Sequence, residues 1–103
     1  MSISNSILTD SIAAAIYTSV GNSAVTTAYF CNKSASSVLV NVFIAPSGFV
    51  ANGNNIIYSN LNIASNDTYI MEAERLLFNN GDYIYANASV ADAVIATTSF
   101  TGI

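Results

Sequence analysis

Histidine and tryptophan are absent from this chain, cysteine and proline occur once each, and charged residues make up only 8% of it. Each shortage removes a class of function. Without histidine, neither a Ser-His-Asp or Cys-His nucleophile nor an imidazole metal site can be built. A single cysteine, Cys31, excludes an intrachain disulfide, the usual support of small exported scaffolds. Because it stands in an apolar run, it reads as a small buried hydrophobe. Lys33 and Arg75 are the only basic residues, too few to displace counterions from a phosphate backbone, so no nucleic acid is expected as a partner. The five glycines stand singly, which leaves no phosphate-cradling loop. No apolar run approaches the ~18 residues of a membrane span, and the longest, from Val38 to Pro46, is broken by Asn41. The opening Met1-Ser2-Ile3-Ser4-Asn5 lacks the positive start and apolar core of a signal peptide.

What is present is apolar. Hydrophobic residues make up 52% of the 103, which excludes a disordered chain and fits one domain. By size scaling its folded surface should be roughly 5,500 Å². Ordinary soluble domains carry about 25% charged residues. A domain so short of charge is expected to bury part of its apolar surface against copies of itself or a partner. The alternative is that Ser, Thr and Asn cover the outside unaided.

The hydrophobic pattern has period two. Val25, Thr27, Tyr29 and Cys31 fall on one face of a first run, and Val38, Val40, Val42 and Ile44 form the inward row of a second. Leu39, Asn41 and Phe43 then point outward, so two large apolar residues mark a second contact surface. Turn chemistry separates the runs at Gly21-Asn22-Ser23, Asn32-Lys33-Ser34, Pro46-Ser47-Gly48 and Asn52-Gly53-Asn54-Asn55. Asn80-Gly81 between Arg75–Phe78 and Asp82–Ala86 predicts a hairpin. Asp10–Ile16 and Thr68–Leu77 could be helical, but β-branched neighbours in the first and the two-residue spacing of Glu72 and Glu74 in the second favour strands. The expected fold is all-β, one β-sandwich or small jelly roll of about seven to nine short antiparallel strands. An arm over residues 1–11 precedes a sandwich domain over 12–103.

The remaining chemistry is carboxylate: Asp10, Asp67, Glu72, Glu74, Asp82 and Asp92. Glu72 and Glu74 are the one neighbouring pair suited to glycosidase work, and Arg75 beside them offers an ion pair instead. Asn66-Asp67 with either glutamate supplies some calcium ligands, although the spacing fits no EF-hand and a capped turn accounts for it. No catalytic, cofactor-binding or metal-binding residue is therefore assigned. Tyr83 and Tyr85 share one strand face, which suits a subunit interface or a sugar-stacking platform. Leu39, Phe43, Tyr58, Tyr83 and Tyr85 form the candidate interface, with a glycan as the alternative ligand.

The stretch Ile16-Tyr17-Thr18-Ser19-Val20-Gly21-Asn22-Ser23-Ala24-Val25-Thr26-Thr27, followed by Tyr29-Phe30-Cys31-Asn32, resembles small virion structural proteins of tailed phages, those of marine cyanobacteria in particular. Ile63-Ala64, Asp67-Thr68-Tyr69, Glu74-Arg75-Leu76, Asn80-Gly81-Asp82 and the closing Ala93–Ser99 agree with it. The resemblance spans nearly the whole chain and rests on structural motifs, so it carries over no site. It implies a virion component, either a capsid decoration or cement protein or an accessory part of the tail, baseplate or fibre. The expected partners are further copies, a trimer being favoured, and other virion proteins. The alternative is a receptor-binding or glycan-binding tip.

Overall fold

The computed structural model describes residues 2–103, with the side chains of 73–75 outside the described set. Eight strands follow one another: β1 (Ser2–Ile7), β2 (Ala14–Thr18), β3 (Ser23–Asn32), β4 (Val38–Ala45), β5 (Ile56–Ile63), β6 (Thr68–Phe78), β7 (Tyr83–Ala88) and β8 (Val94–Gly102). They form two four-stranded sheets with orders β1-β8-β3-β6 and β2-β7-β4-β5. Every pairing is antiparallel. Of the consecutive strands only β4 and β5 pair with each other; every other connection crosses between the sheets. Those orders are a jelly roll, the eight-stranded double Greek key. The accessible surface is 5500 Å², as size scaling requires.

The core lies between the sheets and takes mostly alternate residues from the strands, β1 contributing none. Val38, Val40 and Val42 of β4 are buried, as are Ile84, Ala86 and Ala88 of β7 and Val94 and Ala96 of β8. Phe30 is the largest fully buried side chain. At one edge the aromatic rings close the sandwich: Tyr58 of β5 meets Tyr69 of β6 edge-on across the sheets, with centroids 5.4 Å apart.

Several sequence expectations need correction. On β3 the inward row is Val25 and then Ala28, Phe30 and Asn32, whereas Tyr29 is exposed and Cys31 half-buried on the outer face. An irregularity in the pairing between Val25 and Thr27 changes the parity of the strand, so a strict alternation carried on from Val25 selects the wrong face. Cys31 is consequently not a buried hydrophobe. Asn79-Asn80-Gly81 does make a tight turn, with Asp82 N donating to Asn79 O (3.1 Å). It is not a hairpin, because β6 pairs with β3 while β7 pairs with β2 and β4. Turn chemistry reports that the chain reverses, and the choice of partner is made by burial. Gly81 (φ 86°) is required there, since a Cβ would lie 2.6 Å from Ser47 Oγ. The strand expected from Ile12 begins at Ala14, with Ile12 exposed in the preceding turn. Residues 2–7 of the expected arm are β1 itself, the outermost strand of the first sheet, and Leu8 beyond it is fully buried.

The two ends of the sandwich are tied by polar groups. At one end Asp82 accepts from Ser47 N (2.9 Å) and Asn79 N (2.8 Å), while Gly21 N donates to Asn80 Oδ1 (2.8 Å). At the other, Asn32 is wholly buried at the end of β3. Its Nδ2 donates to Ser36 O (2.8 Å), Ile63 O (2.9 Å) and Ala64 O (3.3 Å), and its Oδ1 accepts from Ser34 N (2.9 Å) and Ser34 Oγ (2.7 Å). One amide therefore holds the β3–β4 loop and the end of β5 together. Replacing Asn32 by Ala should leave these carbonyls without donors and cost about 1–3 kcal/mol or more in urea unfolding. Asn32→Asp, which sets a carboxylate against carbonyl oxygens, should cost at least as much near neutral pH. Its folded-state pKa would be raised, so its deficit should shrink as pH falls toward the unfolded carboxyl value of about 3.9. An Asn32→Ala variant as stable as the parent would show that this junction carries no weight.

Candidate functional site: the outer faces of the sheets

The distribution of charge singles out the sheet surfaces. All eight charged residues lie in loops or on β6; β1 to β5, β7 and β8 contain none. The outer face of the second sheet carries most of the candidate interface residues. Leu39 (39% exposed), Asn41 and Phe43 project from β4, and Tyr83, Tyr85 and Asn87 from β7 beside it. The register sets Phe43 opposite Tyr85 and Asn41 opposite Asn87. The Tyr83 and Tyr85 rings stand 5.1 Å apart and tilted by 37°. Tyr85 Oη donates to Phe49 O (3.1 Å), placing the exposed Phe49 and Val50 beside this surface.

Tyr58 does not share that face. It points inward at the sandwich edge, packs on the core, and its hydroxyl lies 3.2 Å from that of Tyr69. The β4–β5 register slips twice, between Val40 and Val42 and between Val42 and Phe43, with Asn60 in a left-handed conformation (φ 55°). Counting by twos along β5 therefore gives no reliable face. Sequence reasoning also passed over Phe49 and Val50, which carry no periodic signal because they lie in a loop.

The amides of this surface are already engaged. Asn41 Nδ2 donates to Asn87 Oδ1 (3.0 Å), Asn41 Oδ1 accepts from Asn60 N (2.8 Å), and Asn87 Nδ2 donates to Ser11 O (2.9 Å). No pocket opens on this surface among the described residues. The outer face of the first sheet is mixed: Ile3 and Ile7 on β1, Ile95 on β8, Tyr29 on β3 and Ile70 on β6 stand among Asn5, Thr97 and Ser99. Registers place Tyr29 beside Thr97 and Ile70, and Glu72 beside Thr27 at the margin.

The acidic residues do not gather. Among the described residues no three Cys, Asp or Glu are close enough to hold a metal ion. Asn66 takes a left-handed turn (φ 58°) and Asp67 Oδ1 accepts from Thr68 N (2.9 Å), so this pair shapes the entry to β6. Glu72 is exposed, and the expected pairing of Glu74 with Arg75 lies outside the described residues.

Two phenols are perturbed. The hydrogen bond with Tyr69, then burial, then the neighbouring phenol raise the Tyr58 pKa above the ordinary 10.0. Burial and the adjacent Tyr83 raise that of Tyr85. A raised acid pKa stabilises the fold at pH values below the unfolded value of about 10 and ceases to as pH climbs through the folded value. An alkaline absorbance titration should therefore show late-ionising phenols, with stability falling above about pH 10. Tyr85→Phe should delete one late step; a Tyr85→Phe titration that keeps every late step would contradict this placement.

No family model matches the chain, and no curated protein is significantly similar to it.

Proposed function

We propose that this chain is a non-enzymatic structural subunit that works by packing its sheets against further copies and neighbouring proteins, as a virion component does. The observation that carries the reading is the confinement of charge. Seven of the eight strands (all but β6) carry no Asp, Glu, Lys or Arg, although the chain has a net charge of −4. The charge-free second sheet, with Tyr and Phe on its outer face, suits the centre of a protein–protein interface, which is depleted of charge and enriched in aromatics. The jelly roll supports the virion setting by analogy alone, since capsid, lectin and cupin domains all use it. The resemblance to tailed-phage virion proteins is the second support. The position, as capsid decoration or as a tail, baseplate or fibre accessory, follows from neither.

The glycan alternative has less behind it. A sugar platform needs open aromatic faces with free hydrogen-bonding groups around them, whereas Tyr83 and Tyr85 are tilted together and Asn41 and Asn87 are bonded within the protein. Light scattering on the purified chain across a concentration series should give masses well above the 10.8 kDa of one chain. A single 10.8 kDa species at every concentration would overturn self-packing.

A further inference from the structure

Four strands lie at sheet edges, and three carry a device that hinders pairing with another chain. β2 is short and its register with β7 slips between Ala15 and Tyr17. β5 slips twice against β4 and turns left-handed at Asn60. β6 carries Glu72, and its step from Leu76 to Glu72 faces only Val25 to Thr27 on β3. β1 has none of these. Its six residues pair one-to-one with β8, from Ser2↔Phe100 to Ile7↔Ile95, with no slip, charge, proline or glycine. Among the described residues β1 pairs with β8 alone, so its other side presents unpaired backbone N–H and C=O groups. Asn5 Oδ1 accepts from Thr97 Oγ1 (2.9 Å), which draws that side chain toward β8 and away from the open side.

The residues of this edge are self-complementary. Ile3-Ser4-Asn5-Ser6-Ile7 reads the same in both directions. In antiparallel pairing, residues directly opposite share a face of the sheet, so a two-fold axis through Asn5 sets Ile3 opposite Ile7, Ser4 opposite Ser6, and Asn5 opposite Asn5. Apolar meets apolar and polar meets polar at every position. No like charges meet, despite the net charge of −4.

We infer that β1 is a docking edge for the β1 strand of a second copy of this chain, joined antiparallel about a two-fold axis at Asn5. The result is one continuous eight-stranded sheet, closed as an isologous dimer. This deepens the packing reading proposed above and rests on it. It also gives a two-fold unit in place of the trimer favoured from the sequence.

In antiparallel pairs, opposite Cα atoms are about 4.5–5.5 Å apart, within disulfide reach. In a Cys31→Ser background, Asn5→Cys should therefore give a cross-linked dimer on mild oxidation or with a short thiol-bridging reagent. Ile3→Cys, whose counterpart would be about four residues along the strand from it, should cross-link at least tenfold less. Asn5→Asp keeps the acceptor for Thr97 and sets two carboxylates across the axis, so it should weaken the dimer several-fold. Self-association in which Asn5→Cys cross-links no better than Ile3→Cys, or which Asn5→Asp leaves unchanged, overturns the β1 edge and leaves the packing reading standing. A chain that stays monomeric throughout overturns both.

Discussion

The structure depends on burying the inward residues of β2 to β8 between two sheets that have almost no charge to spend elsewhere. Val25, Phe30, Val40, Val42, Ile84 and Val94 are fully enclosed, and each lies on a different strand from its neighbours in the facing layer or completes a row within one. Burial of that apolar area is the dominant favourable contribution to folding. It also dictates topology. A strand finds its partner by whichever pairing encloses its inward row, which is why β6 and β7 part company after a well-formed Asn79–Asp82 turn and join different sheets. Polar side chains then fasten what the core has aligned, with Asn32 at one end and Asp82 at the other.

Sequence and structure agree on β4, which pairs with β7 without a slip. The inward Val38, Val40 and Val42 were legible because β4 keeps its alternation through them, and so was the outward set of Leu39, Asn41 and Phe43. The same counting misplaced Cys31 and Tyr29 on β3, because an extra residue in a ladder inverts every face beyond it and has no compositional mark. Asn32 read as a turn former beside Lys33 and Ser34. Its role as a buried five-bond junction depends on carbonyls near residue 63, some thirty positions away, which no local pattern encodes. Residues 1–11 looked like an arm because Ser and Asn dilute Ile3 and Ile7, whereas the pairing of residues 2–7 with β8 is set by contacts 88 to 98 positions distant in sequence.

The outward surfaces bear on function through what they omit. Edges and faces of soluble sheets are ordinarily guarded by lysine, proline or bulges. Here β2, β5 and β6 are guarded by irregular pairing, and β1 alone is straight and bare. A jelly roll that leaves one regular, palindromic edge open is suited to joining its own kind, and the outer face that carries Ile3, Ile7, Ile95 and Tyr29 would run on across such a junction. Symmetric joining through sheet surfaces is the behaviour the proposed packing role asks of such a unit.

Amide hydrogen exchange at low and high protein concentration tests this account most directly, because it reads backbone pairing strand by strand. Added protection on association should be concentrated in residues 2–7, with the edges of β2, β5 and β6 unchanged. Protection that appears instead at Phe43, Tyr83 and Tyr85, or nowhere, would contradict the central role given to the β1 edge.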